Sequence, residues 1–251
     1  MAIEFVDVVK RFGDRTVLSG VTMRVERGEI LMVVGTSGVG KSVTIKHIIG
    51  LLSPTSGEVR VDGRRVNDLT EKEFFQIRRQ VAMVFQASSL FDSLDVLQNV
   101  MLPLRKVAKL SEKAARPRAL ELLEEVGMTD WIHAHPAELG DGMRKRVAIA
   151  RALTLKPAYV LFDEPTTGLD PVSARRVDRL IATLAAHHGV GCIVVSHDLQ
   201  SIFSIGQRIA MVYQGRIYLE GPAAQFTASQ DPIIRQFFSG SSTGPMETPG
   251  F

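Results

Sequence analysis

Gly35-Thr36-Ser37-Gly38-Val39-Gly40-Lys41-Ser42 is a glycine-rich run closed by a lysine and a hydroxyl, the combination that a bound polyphosphate requires. Glycines let the backbone curl until its N–H groups face phosphate oxygens, and a helix opening at the end of the run adds positive potential. Lys41 then reaches the β- and γ-phosphates, while Ser42 offers its hydroxyl to Mg2+. The candidate ATP-binding residues here are Gly35, Thr36, Ser37, Gly38, Val39, Gly40, Lys41, Ser42 and Val43. Farther along, Tyr159-Val160-Leu161-Phe162 runs into Asp163-Glu164, two carboxylates at the exposed end of a core strand, a costly placement without a cation. Asp163 is suited to hold the metal, directly or through water, and Glu164 to polarise the attacking water as general base. Alone, such a strand end could equally cap a helix before Pro165; the phosphate loop upstream favours catalysis.

These side chains need a scaffold, and the hydropathy pattern supplies one. Ile30 to Val34 is continuously apolar, ends at the glycine-rich run and leads into Val43-Thr44-Ile45-Lys46-His47-Ile48-Ile49, as a buried parallel strand feeding a helix does. The same signature returns at 159–162 and 192–195. Turn signals at Arg27-Gly28-Glu29 and Val61-Asp62-Gly63-Arg64 separate β-rich runs, which predicts an antiparallel layer with strands near 3–8, 17–25 and 58–61. From 92 to 150 the pattern is helical: Ala115, Ala119, Leu122, Leu123 and Val126 recur at three- and four-residue spacing and stop at Gly127.

With 251 residues, 45% hydrophobic and 23% charged, the chain has the means for one core with an inserted lobe. Thirty Lys and Arg against 27 Asp and Glu leave a charge of +3, too small an excess to favour nucleic acid as a partner. The single cysteine, Cys192, lies in an apolar run and reads as a small core hydrophobe in a reducing compartment. Charges spread from Asp7 to Arg15 leave no room for a signal peptide. No apolar run approaches the roughly 18 to 20 residues that cross a bilayer, so a membrane role is expected to come through a partner. Ser239-Gly240-Ser241-Ser242-Thr243-Gly244-Pro245 is linker-like and predicts an extended tail.

Beside the phosphate loop and the carboxylate pair stand Val84-Phe85-Gln86, Leu139-Gly140-Asp141-Gly142-Met143, Gly168-Leu169-Asp170 and Ser196-His197-Asp198. In order and spacing this set resembles the ABC transporter ATPase family over about residues 1–222. The resemblance implies an α/β fold: a P-loop NTPase (RecA-like) core at 1–91 and 151–222, with an antiparallel β subdomain and an inserted α-helical subdomain at 92–150. Residues 223–251 are left as a C-terminal extension. It implies that Phe12, in Arg11-Phe12-Gly13, stacks the adenine, and that Gln86 senses Mg2+ and the γ-phosphate while contacting a permease. It further implies that His197 holds the γ-phosphate and attacking water, making Glu164, His197 and Gln86 the catalytic set and Ser42, Gln86 and Asp163 the metal ligands. Taken singly, Phe12 and His197 would pass for a core aromatic and a strand-end cap. The resemblance adds Gly140, Asp141, Gly142 and Asp170 to the ATP-binding residues and implies that the site is closed by the signature segment of a second copy, burying two ATP molecules between two chains.

The family pattern at 139–142 is Leu-Ser-Gly-Gly, so Gly140 and Asp141 depart from it. Gly140 lacks a hydroxyl whose hydrogen bond to phosphate is worth roughly 1.5–3 kcal/mol. Asp141 adds a carboxylate whose repulsion at about 5 Å and an effective dielectric of about 20 is roughly 3 kcal/mol per unit of phosphate charge. Capping of a helix near Gly142 by Asp141 returns only about 1 kcal/mol, so closure and hydrolysis are expected to be slow. An ATP-binding regulatory subunit with little hydrolysis is the alternative that this departure raises.

Lys46-His47-Ile48-Ile49-Gly50-Leu51-Leu52, the run from Val84 to Leu94, Asn99-Val100, Pro103-Leu104 and Asp231 to Phe238 followed by Gly244-Pro245 are similar to the Mla and Mce-type lipid transport ATPases. That resemblance implies an MlaE-like integral membrane permease, an MCE-domain protein in the same complex, phospholipid as cargo, and a tail that reaches the other subunit. It leaves room for a STAS-domain regulator and for an ABC transporter of another substrate. The expected location is cytoplasmic, peripheral on the inner face of the inner membrane. Arg144-Lys145-Arg146 reads as a solvated helix face and His187-His188 as a helix end.

Overall fold

The computed structural model describes residues 1–246. In chain order, β1 (Ala2–Phe12), β2 (Arg15–Glu26) and β3 (Ile30–Val34) precede α1 (Lys41–Ile48). Then come β4 (Ser56–Val61), β5 (Arg64–Arg65), α2 (Glu71–Gln80) and β6 (Val81–Val84). Three helices follow without a strand: α3 (Val96–Lys106), α4 (Glu112–Glu125) and α5 (Asp141–Leu153). The chain continues through β7 (Tyr159–Asp163), α6 (Pro171–His188), β8 (Gly191–Val195), α7 (Leu199–Ile205), β9 (Arg208–Tyr213) and β10 (Arg216–Gly221). It ends in α8 (Ala223–Thr227) and α9 (Pro232–Ser239).

Two sheets result. One is antiparallel in the order β2-β1-β4-β5, and the other has the order β10-β9-β3-β8-β7-β6 and is parallel except at β10. Every residue of β3, β7 and β8 is buried, because both faces of this sheet are covered. Alternation along β3 divides the interior: Ile30, Met32 and Val34 join one core with α3–α6, and Leu31 and Val33 join the other with the antiparallel sheet. The continuous apolar run in the sequence thus serves two cores at once.

The inserted helices carry local signals of their own. Asp95 caps α3 in a reciprocal box with Gln98, and Ser111 caps α4. Asn99, fully buried, donates to the carbonyls of Phe91, Leu94 and Asp95 and accepts from Phe91 N–H at 2.9 Å. One side chain therefore closes the loop after Gln86 onto the lobe. Helix α5 continues to Leu153, so a division of the chain at 150 and 151 falls inside a helix.

The linker-like composition of 239–245 misled the expectation of an extended tail. Ile234 is buried, Phe238 packs 5.2 Å from Phe203 and 5.4 Å from Phe226, and Met246 is buried with its N–H donating to Gln236 Oε1 at 2.6 Å. Apolar side chains spaced for a helix bring this segment back onto its own chain; the rest of the extension, 247–251, lies outside the described residues. No helix among the described residues is long and apolar enough to cross a membrane.

Candidate functional site

Four parallel strands lying side by side, β3, β8, β7 and β6, end at one edge of the sheet. At or just beyond those ends lie the phosphate loop, Ser196-His197, Asp163-Glu164 and Gln86 respectively. Register makes this quantitative: Val84 pairs with Phe162, Asp163 with Val195, and Val33 with Val195. Segments scattered through the chain are thereby brought to the carboxyl ends of parallel strands, where open α/β sheets bind ligands.

Two glycines make the loop sterically feasible. Gly40 precedes α1 at φ 107°, and a Cβ there would come 2.7 Å from Leu18 Cδ2. Gly35 has φ 144°, and its Cβ would lie 2.3 Å from the carbonyl oxygen of Val212. Lys41 is buried and donates from Nζ to the carbonyls of Gly35 at 2.8 Å and Thr36 at 2.9 Å. Burial lowers its pKa from the usual lysine value, against the opposing pull of Glu164 and Asp163. Thr36, Ser37, Gly38, Val39 and Val43 keep part of their surface open to solvent.

Ser42 Oγ donates to Asp163 Oδ1 at 2.6 Å. Glu164 takes a left-handed backbone, φ 49°, held by its N–H donating to Val195 O at 3.0 Å, a conformation that non-glycine residues adopt at a cost. Its carboxylate accepts from Thr167 Oγ1 at 3.0 Å and lies 3.3 Å from His197 Nδ1. A carboxylate fixed on one side by a hydroxyl and facing an exposed imidazole on the other can deprotonate and orient a water.

Gln86 is exposed, and its backbone carbonyl accepts from Lys145 Nζ. Lys145 is itself 4% exposed, which corrects the reading of 144–146 as a solvated face. Arg146 also turns inward, donating to the carbonyls of Val126 and Gly127 at 3.1 Å, where it closes the open end of α4. The sequence carried a signal for Lys145, which stands three and four residues before the buried Ala148 and Ile149 on the same helical face. For Thr167 it carried none beyond proximity to Glu164.

The other candidates stand apart from the phosphate loop. Gly140 occupies the cap position of α5 without a side-chain bond, and Asp141 falls in the first turn, where it pairs with Arg144. Asp141 does not cap the helix, because the cap position falls one residue earlier. Gly140, Asp141, Gly142 and Asp170 share a cleft of about 460 Å³ between the starts of α5 and α6. Asp141 also lines a second cleft with Gln86, Lys145 and Thr167, and no residue of 35–42 lines either one. Asp170 caps α6 by accepting from Val172 and Ser173 N–H at 2.9 and 3.0 Å, and hydrogen bonds centred on Ser173 lower its pKa. Phe12 is 46% exposed at the end of β1 with Lys10 Nζ 4.9 Å from its ring centroid. It pairs across the hairpin with Arg15, which lines a groove of about 490 Å³ shared with Thr36, Gly38 and Val39.

Residues 18–167 match the family model described as ABC transporter. The intermembrane phospholipid transport system ATP-binding protein MlaF of Haemophilus influenzae is 35% identical over 244 residues, 97% of this chain and 92% of that protein. The methionine import ATP-binding protein MetN of Rhizobium etli is 38% identical over 239 residues, 95% of this chain and 66% of that protein. Among solved structures, the dimeric post-hydrolysis state of the ATP-binding cassette MJ0796 bound to ADP and Pi superposes with a TM-score of 0.79 at 33% identity, covering 88% of this chain and 98% of that one.

Proposed function

We propose that this chain, which belongs to the ABC transporter family of ATP-binding subunits and is an ATPase, powers movement of phospholipid between inner and outer membranes through an MlaE-like permease. What carries the chemistry is the meeting at one sheet edge of Lys41, the Ser42–Asp163 bond and the Glu164–His197 pair. In this reading the loop N–H groups and Lys41 bind the triphosphate, Lys41 exchanging the carbonyls of Gly35 and Thr36 for phosphate oxygens. Phe12 holds the adenine at the mouth of the adjoining groove. Glu164, steadied by Thr167, accepts the proton of the water that His197 orients. Ser42 and Asp163, with the amide oxygen of Gln86, make an all-oxygen donor set that fits Mg2+. When bound, that ion neutralises charge on the β- and γ-phosphates.

Pairing follows from what the site lacks. The segment 140–142 and Asp170 line clefts away from their own phosphate loop, so a second copy is needed to bring the start of α5 to the γ-phosphate. The dimeric cassette among the similar structures supports this arrangement. In the pair, the 92–150 insertion works as the helical subdomain on the 1–91 and 151–222 core.

Phospholipid as cargo is supported by relatives named MlaF over 97% of the chain. An MCE-domain protein belongs beyond the permease, with a STAS-domain regulator as a further partner and the inner face of the inner membrane as the location. The MetN relative at 38% identity favours an amino-acid importer as the second reading. Purifying the chain with its membrane partners and identifying the bound molecule by mass spectrometry separates the two. Phospholipid enriched over the surrounding membrane is expected; a complex that carries none and binds an amino acid rejects the lipid reading.

A further inference from the structure

Glu125 closes α4 and His187 and His188 close α6, so three side chains meet where an inserted helix touches a core helix. We propose that they form a binding site for a transition-metal dication of the zinc type, which clamps the two helix ends together. One donor atom from each lies within 4.8 Å of the others. Glu125 Oε2 is 2.8 Å from His188 Nε2 and 3.7 Å from His187 Nδ1. A tetrahedral zinc with bonds of about 2.0–2.2 Å needs neighbouring donors about 3.3 Å apart, and the two separations bracket that value. The third separation, His187 to His188, is at most 4.8 Å, so the two imidazoles close on each other by up to about 1.5 Å when they ligate.

The donor chemistry selects the ion. Two imidazole nitrogens and one carboxylate suit zinc, nickel or copper, whereas magnesium and calcium prefer oxygens. Two ligands are already enclosed, with the side chains of Glu125 and His188 only 17% and 18% exposed, while His187, 65% exposed, leaves access from solvent. Its ring stacks on that of His188 with centroids 4.7 Å apart and planes at 24°. A charged imidazole at the C-terminal end of α6 beside Glu125 would account for His188 as a simple ion pair. It gives no reason for His187 to approach the same oxygen. Water completes the shell.

Untagged full-length chain, stripped with chelator, is titrated with Zn2+ by calorimetry and with Co2+ by visible absorption. One equivalent per chain, a low-coordinate cobalt spectrum and a raised unfolding midpoint are expected. Glu125→Gln and His188→Ala are each expected to weaken zinc binding by more than the ~10–100-fold that loss of an outer-shell partner costs, with His187→Ala milder and Mg-ATP binding unchanged in all three. Glu125→Gln keeps the shape of the side chain, so it serves even where His188→Ala does not fold. Absence of zinc uptake overturns the proposal, as does uptake that survives both variants, which assigns the ion to His47, His133, His135 or His197 instead.

Discussion

Lys41 folds back onto its own loop, its buried ammonium satisfied by the carbonyls of Gly35 and Thr36. Lys41→Ala is expected to lower Mg-ATP affinity at least a hundredfold, roughly 2.7 kcal/mol, read by equilibrium dialysis; retained affinity rejects the assignment. Glu164→Gln removes only the base, so ATP binding persists while phosphate release falls by about 10²–10⁴. At 140 and 141 the structure changes the balance drawn from sequence. Asp141 is partly neutralised by Arg144 and by the start of α5, and a Cβ at Gly140 meets nothing within 4 Å. Gly140→Ser with Asp141→Gly therefore fits without strain and is expected to raise turnover of the assembled complex; unchanged phosphate release shows that the departure does not limit it. Cys192 is buried in β8 and burial pushes its thiol up to about 12, so thiol reagents at pH 8 are expected to modify it only after unfolding.

Elements deliver these residues through a few contacts that the periodicity of a single helix or strand does not contain. Asn99 is the clearest: Asn99→Ala leaves the Leu94 carbonyl without its donor and the Phe91 N–H without its acceptor, while the carbonyls of Phe91 and Asp95 keep backbone donors. That is expected to cost about 1–3 kcal/mol per group left unsatisfied, seen as a lower unfolding midpoint with ATP contacts intact. The strands feeding the site were legible because β3, β7 and β8 are covered on both faces and so are apolar throughout. β6, β9 and β10 were not marked out in advance. β6 (Val81-Ala82-Met83-Val84) and β9 (Ile209 to Tyr213) do carry short continuous apolar runs, so a signal for both was present, whereas β10 is an edge strand with a mixed pattern that is neither a continuous run nor a clean alternation.

For the whole molecule, the separation of 140–142 from the phosphate loop has a direct consequence in solution. With Glu164→Gln to prevent turnover, Mg-ATP is expected to shift the chain from monomer to dimer in sedimentation, and ADP to reverse it. A chain that stays monomeric at saturating ATP, outside its membrane complex and within it, counts against the paired site. The tail belongs to this scale as well. Its glycine and serine content suggested an extended arm, but Ile234 and Met246 are buried in the core with Phe226, and Phe238 packs between Phe203 and Phe226, so apolar burial outweighs chain entropy there.

By itself the sequence determined the phosphate loop, the paired carboxylates, the class of fold and the family, because each depends on residue types at fixed local spacing. A glycine-rich run between a buried strand and a helix can do little else. Tertiary structure alone decided that Lys145 turns inward to the carbonyl of Gln86, that Thr167 and His197 flank Glu164, and that Glu125 meets two histidines from another helix. Those contacts join residues on different elements or across a tight turn, and their partners are fixed by strand register and helix packing, quantities that no local pattern encodes.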